Sequence, residues 1–402
     1  MDEIFYRNNY IDKIKPFVGK QLIKILVGQR RVGKSYLMYQ LMEIIKQQNP
    51  EASIIYINKE LFEFDSIKNY KDLTDYVEQH KKTGVANFLF IDEVQDIEHF
   101  EKALRHYVLD EKMDIYCTGS NAYLLSGELA TFLSGRYVEF KVFSLSYPEF
   151  LEFHNMENTQ NALKKYLLWG GLPFIKNLEP SDKVIFDYLR NIYTTILYKD
   201  IILRHKIRNT YFLENLIHYL AMNAGNIISA KKISDYLKSQ QVKISPQVVL
   251  NYLNYLIEAF LIFRVKRKEI TGKKVFEINE KFYFEDWGIM NALSGFERFD
   301  IAKVMENVVF IHLLIHDYKV SIGKIKDKEI DFIAEKNGHK LYIQVAYLLS
   351  DEQVINREFG NLQLIKDHYT KIVVSLDEFA PENINGIRHM HLREFLFGLN
   401  DF

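Results

Sequence analysis

The chain has 402 residues, room for two or three domains at about 150 residues each. Lys and Arg number 52 against 53 Asp and Glu, a formal charge of −1 that argues against a histone-like or polybasic protein, and 48% hydrophobic with 26% charged residues excludes wholesale disorder. The single cysteine, Cys117, excludes an intrachain disulfide and a cysteine-based zinc cluster. Aromatics at 14%, with only 7 Pro and 18 Gly, point to a mostly helical chain with some sheet. In chain order, the apolar run 22–27 ends at Gly28, and a loop to Ser35 leads into YLMYQLMEIIKQQ, whose Leu37, Leu41, Ile44 and Ile45 share one helical face. A strand at 52–58, a helix near 69–82, a buried strand at 87–93, a helix at about 97–110 and a strand at 113–120 follow. Strand–helix alternation at this spacing predicts a parallel sheet covered on both faces, with 136–146 as its last strand.

From about 148 long amphipathic helices are expected, interrupted at Gly170-Gly171-Leu172-Pro173. Residues 229–285 read as helix, turn, helix and a hairpin joined by Thr271-Gly272-Lys273, the outline of a winged helix. From about 304 a helix is followed by strand-like segments with an Asn337-Gly338 hairpin turn, then a helix at 352–367 and a strand at 371–376. The expected architecture is an α/β P-loop domain over 1–147, a helical region with winged helix over 148–300, and a C-terminal α/β domain over 301–402. The start MDEIFYRNNYIDKIK is charged from its second residue. No window of about 18 uncharged apolar residues occurs, so a cytoplasmic protein without a membrane partner is expected.

Gly28-Gln-Arg-Arg-Val-Gly33-Lys34-Ser35 fits GxxxxGKS between a predicted strand and helix, the context a phosphate loop requires. Gly28 and Gly33 let the backbone N–H groups face phosphate oxygens along the helix dipole. Lys34 is expected to reach the β- and γ-phosphates of ATP, and Ser35 to ligate Mg2+. The strand 88–91 ends in Asp92-Glu93, which puts two carboxylates at the sheet edge beside that loop. Asp92 is expected to hold the metal through water, and Glu93 to orient or deprotonate the attacking water. Thr118, Ser120 and Asn121 end the next strand, where Ser120 and Asn121 could touch the γ-phosphate or the water. Arg136, in Ser134-Gly135-Arg136-Tyr137, is a candidate arginine sensor or finger, and Arg30 and Arg31 lie inside the phosphate loop without an assigned role.

GQRRVGKS, FLFIDEVQDI, CTGSNAYLLSGE and LSGRYVEFKVFSLSYPEF together resemble the AAA+-type P-loop ATPases, the archaeal-type or STAND-like group. WGGLP, YKDII, ISAKKISDYL and EIDFIAEKNG with YIQVAY resemble the winged-helix and restriction-endonuclease-like region that accompanies this ATPase domain. The resemblance implies an ATPase core with ATP/ADP as ligands, Mg2+ as cofactor, and Lys34, Ser35, Asp92, Glu93 and Arg136 in its site.

In the endonuclease-like reading Glu306, Asp331, Gln344 and Ala346 fall on acid, Asp, Glu-x-Lys. Gln344 is neutral where an acid belongs and Ala346 replaces the lysine, so a retained fold without cleavage is expected, serving as a platform for a partner or for self-association. Glu329 is a candidate replacement acid. In the winged segment the second helix is poor in cations, whereas Arg264, Lys266, Arg267, Lys268, Lys273 and Lys274 cluster at the wing; DNA binding and a packing or partner role both stay open. His312 and His316 share an i, i+4 face without HExxH, so no metal site is expected there. Three functions follow: an ATP-hydrolysing multidomain protein whose nucleotide state positions its C-terminal domains, a nucleotide-gated DNA- or protein-binding module with negligible turnover, and an ATP-driven nuclease.

Overall fold

Short apolar strands linked by amphipathic helices bury both faces only as a parallel sheet. The computed structural model, which describes residues 5–122, 133, 135–239, 242–270, 280–295 and 300–398, contains such a sheet. By its internal contacts the chain divides into two units, Met1–Phe143 with Glu258–Phe260, and Ser144–Ile257 with Leu261–Phe402.

In unit 1 the strands are β1 Ile23–Val27, β2 Ser53–Asn58, β3 Asn87–Asp92, β4 Met113–Gly119 and β5 Tyr137–Lys141. All pairings are parallel, in the order β2-β3-β4-β1-β5. The helices are α1 Asn8–Ile14, α2 Lys34–Gln48, α3 Tyr70–His80 and α4 Phe100–Tyr107. The last is shorter than the 97–110 expected, because Val94–Asp96 forms a separate 3-10 turn. Lys24 interrupts the apolar run of β1, yet it is buried, its ammonium bonded to the Asp114 carboxylate on the neighbouring strand. A buried charge persists only with such a partner.

Unit 2 contains α5 Tyr147–Phe153, α6 Gln160–Trp169, α7 Asp182–Thr195, α8 Thr210–Met222, α9 Ala230–Ser239, α10 Pro246–Glu258, α11 Trp287–Ser294, α12 Ile301–Ile315, α13 Glu352–Gln363 and α14 Leu392–Phe395. The YKDII segment lies in a π-helical stretch, Ile196–Ile202. Its strands are β6 Ile262–Glu269, β7 Glu280–Phe284, β8 Lys319–Ile325, β9 Lys328–Lys336, β10 His339–Val345, β11 Thr370–Ser375, β12 Asn383–Ile384 and β13 Ile387–His391. They form one mixed sheet, β12-β13-β11-β10-β9-β8-β6-β7.

Helix, turn, helix and hairpin occur in the expected order as α9, α10, β6 and β7. The hairpin is not a free wing, because β6 runs on to pair in parallel with β8, Arg267 with Ile322 through Glu269 with Lys324. The 229–285 and 301–402 segments therefore share a sheet. Lys273, Lys274, the Thr271-Gly272-Lys273 junction and Ser134 lie outside the described residues. Asn337 and Gly338 turn with positive φ between β9 and β10, the geometry their residue types favour. Strands β8, β12 and β13 carried no clear signal. In β8 Gly323 breaks the alternation, since a Cβ there would meet Ile330 at 2.8 Å.

The WGGLP break has a packing cause. A Cβ on Gly288 would lie 2.1 Å from the Trp169 carbonyl oxygen, and one on Gly170 2.5 Å from Asp286 Oδ1, so the end of α6 and the start of α11 meet backbone to backbone. Asp286 caps that junction, accepting from Gly171 N at 2.8 Å and Ile289 N at 3.0 Å. Burial lifts its carboxyl to about 6 despite these donors. A carboxyl raised in the folded state adds stability that is complete below the unfolded value near 4 and is lost as pH climbs through about 6. Asp286→Asn is therefore expected to flatten unfolding stability between about pH 4 and 6, removing a fall of roughly 2 kcal/mol. Denaturant titrations at pH 4, 5 and 6 check this; parallel slopes in parent and variant would count against it.

Candidate nucleotide site

In a parallel sheet the strands end at one edge, and here β4 lies between β1, which feeds the phosphate loop, and β3, which carries the acidic pair. Residues at the end of β4 can therefore bridge the two. Gly28 N donates to Gly119 O at 3.4 Å. A Cβ on Gly28 would sit 2.1 Å from the Val142 carbonyl oxygen, and Gly33 caps α2 with φ +95°, so each glycine answers a local steric demand.

Lys34 is buried, its Nζ donating to Gly28 O and Gln29 O at 3.0 Å each and standing 3.9 Å from Glu93 Oε1. Asp92 accepts hydrogen bonds from the Ser35 and Thr118 hydroxyls, and Tyr56 Oη reaches it at 3.4 Å. Thr118 Oγ1 also accepts from Glu93 N at 2.9 Å, so one hydroxyl fixes both acids. Glu93, in the left-handed region with φ +56°, accepts from Ser120 Oγ at 2.9 Å and from Gln95 Nε2. A non-glycine residue held there commonly marks a functional turn. Arg30 is buried and donates to Glu60 at 2.7 Å, whereas Arg31 is exposed with φ +73°.

The two acids are driven apart. Burial raises Asp92, partly offset by its hydrogen bonds from Ser35 and Thr118. Burial also pushes Glu93 upward, but Lys34 and Arg30, with Gln95 and Ser120, more than offset it and hold Glu93 below the usual carboxylate range. A carboxylate ionised at neutral pH can take a proton; a buried acid such as Asp92 gains most from a nearby cation.

Gly28, Gly33, Lys34, Ser35, Asp92, Glu93, Ser120 and, at the end of β4, buried Asn121 are thus gathered at one sheet edge. Arg136, the candidate sensor or finger, is not among them. It is exposed and precedes Tyr137, which pairs with Ile23, the first residue of β1. The loop follows the other end of β1, about 13 Å away at 3.3 Å per residue. Gln95 escaped notice in the sequence, although its place two residues after the acidic pair was available as a signal.

The loop fits a phosphate ligand on its own chemistry. Gln29 is fully buried with neither amide atom hydrogen-bonded, a state that buried polar groups rarely tolerate unless a ligand completes them. Ser35 and Asp92 supply the hard oxygens that magnesium takes.

In unit 2 two basic residues of the wing are paired internally. Arg264 pairs with Asn254 at 2.7 Å and Glu280 at 3.4 Å, and Lys268 with Glu335 at 2.9 Å. Glu306, Glu329 and Asp331 come together around an ammonium that does not come from position 346. Lys281 of β7 stands there, 2.8 Å from Glu306, 2.8 Å from Glu329 and 3.6 Å from Asp331. Its signal was a lysine in a strand otherwise buried at nearly every position. Among the described residues no helix is long and apolar enough to cross a membrane.

A parallel sheet with a phosphate loop after its first strand and an acidic pair after its third is the arrangement of a P-loop NTPase domain. A family model for an AAA domain matches residues 20–151, and one for a domain of unknown function (DUF8612) matches residues 160–300. An uncharacterized protein of Haemophilus influenzae is 36% identical over 397 residues, covering 97% of this chain and 98% of that protein. An uncharacterized protein of Methanocaldococcus jannaschii is 29% identical over 351 residues, 82% of this chain and 75% of that protein. Among solved structures, the Walker-type ATPase of Pyrococcus abyssi is similar with a TM-score of 0.49 at 17% identity, over 73% of this chain and 96% of that one. The chain belongs to one family with the Haemophilus influenzae protein, over 97% of its length.

Proposed function

We propose that unit 1 binds ATP with Mg2+ at the phosphate loop and hydrolyses it, and that nucleotide state is passed to the C-terminal segments. The observation that carries this reading is the bonded set Lys34, Ser35, Asp92, Thr118, Glu93 and Ser120 at one sheet edge. Lys34 would exchange its two carbonyl acceptors for phosphate oxygens, gaining charge-assisted bonds. Ser35 and Asp92 would hold magnesium, which neutralises phosphate charge when bound. Glu93, ionised and oriented by Ser120 and Gln95, would accept the proton of the attacking water.

The covalent chain itself leads from the loop's neighbourhood into unit 2. Val142 N donates to Val27 O at 2.7 Å, and its carbonyl abuts Gly28. Two residues on, Ser144 donates its N–H to Glu285 at 2.6 Å and its hydroxyl at 3.0 Å. A shift of the loop on ATP binding would pull on that strap. Hydrogen exchange by mass spectrometry with and without Mg-ATP tests the link: peptides spanning 142–146 and 283–290 are expected to change protection. Changes confined to the loop and the acidic pair would contradict it.

A nucleotide-gated binding module with negligible turnover is the second reading. It is favoured by one observation: both Ser120 and Gln95 already engage the Glu93 carboxylate. For the 229–285 segment, the internal pairs of Arg264 and Lys268 support a packing or protein-partner role over DNA binding, which needs cations free for phosphates. An arginine acting on the nucleotide from Arg136 would have to come from another copy of the chain.

A further inference from the structure

Three carboxylates meeting in a protein interior need a cation, and two kinds can supply it. A divalent ion draws hard oxygens to about 2.0–2.6 Å. An ammonium accepts the same company at hydrogen-bond distance, through three donors pointing in different directions. The cluster in unit 2 is of the second kind. Lys281, its side chain 3% exposed, places Nζ 2.8 Å from Glu306 Oε1, 2.8 Å from Glu329 Oε1 and 3.6 Å from Asp331 Oδ1. The acids come from α12 and β9, the lysine from β7, so one ammonium joins three elements.

The surrounding groups complete the set. Tyr283 Oη donates to Glu306 at 2.6 Å, and Val345 N donates to Asp331 Oδ2 at 2.9 Å. Glu358, the next carboxylate acting on Asp331, is already paired with Arg357 at 2.7 Å. Gly225 closes the cluster from another side, since a Cβ there would lie 2.9 Å from Glu306 Oε2. Burial, and then the charge of Glu306, keep Asp331 well above the usual carboxylate range, so the cluster does not carry three full negative charges at neutral pH. A divalent ion entering it would have to displace a buried ammonium that is hydrogen-bonded to Glu306 and within ion-pair distance of Glu329 and Asp331. Among the described residues no group of three or more His, Cys, Asp or Glu is arranged to hold a metal.

We infer that Lys281 is the resident cation of this cluster: its ammonium takes the position a divalent ion would occupy, and it ties β7 to α12 and β9 without metal. The unit then needs no metal to fold. The inference is independent of the ATPase reading, because it concerns residues of unit 2 alone.

The test is thermal unfolding and Mn2+ titration of the full chain without nucleotide. The parent is expected to keep the same melting temperature in millimolar Mn2+ or Ca2+ as in EDTA. Lys281→Ala leaves the acids without a counter-ion and is expected to melt lower by roughly 10 °C in EDTA, to regain most of that loss with Mn2+ or Ca2+, and to lose the rescue in the double variant Lys281→Ala, Asp331→Asn. If Lys281→Ala does not fold, Lys281→Gln, which keeps a donor toward the glutamates, is expected to show the same rescue. Two results would overturn the inference: a folded lysine variant that gains nothing from metal, or Mn2+ binding by the parent that Asp331→Asn abolishes. The second would instead make Lys281 a companion of a bound metal.

Discussion

Lys34→Ala is expected to weaken ATP binding roughly 10- to 1000-fold, about 1.4–4 kcal/mol. The lysine is buried and spends its donors on the carbonyl oxygens of Gly28 and Gln29, so it is already aimed into the loop that would receive phosphate. Truncation removes an ammonium from a place where water screens little, and leaves the two carbonyl oxygens without that donor. It also removes the cation that does most to hold Glu93 ionised. Calorimetric titration with Mg-ATP checks the affinity; equal affinities in variant and parent would remove the phosphate-loop assignment.

Replacing Glu93 by glutamine separates binding from chemistry. Glu93→Gln keeps the size of the side chain and can still bond Ser120 and Gln95, so ATP affinity is expected to stay within a few-fold of the parent. The base is gone, and turnover is expected to fall by about 100-fold or more. Phosphate release measured at saturating ATP decides it. Unchanged release would move water activation to another residue, and an equal loss of affinity and rate would mean that Glu93 shapes the site without taking a proton.

Much of unit 1 was legible because each of its elements carries its own signal. The apolar runs of β1, β3 and β4 are short and nearly unbroken, and GxxxxGKS and FLFIDE are motifs whose chemistry demands a fixed place in such a sheet. What remained hidden depends on strand order. That β4 separates β1 from β3, and so lets Thr118 bridge Asp92 to the Glu93 backbone, follows from pairing between segments far apart in the chain. The same pairing puts Arg136 at the end of β5 away from the loop that follows β1 in its own chain, which its spacing from the motifs could not reveal. Unit 2 was less readable for a related reason. The hairpin at 262–284 looks self-contained in sequence, yet β6 extends into the large sheet, and Lys281 lies 25 residues before its partner Glu306 in α12. Position 346 was the natural place to seek a cation, and the cation came from another strand.

Phosphate release from Mg-ATP by the purified full chain, run beside Lys34→Ala and in EDTA, tests the ATPase reading most directly. Release by the parent that both the substitution and the chelator abolish is the expected result. No release by a parent chain that binds ATP would contradict hydrolysis and favour the nucleotide-gated module; release that survives in Lys34→Ala would contradict the site itself.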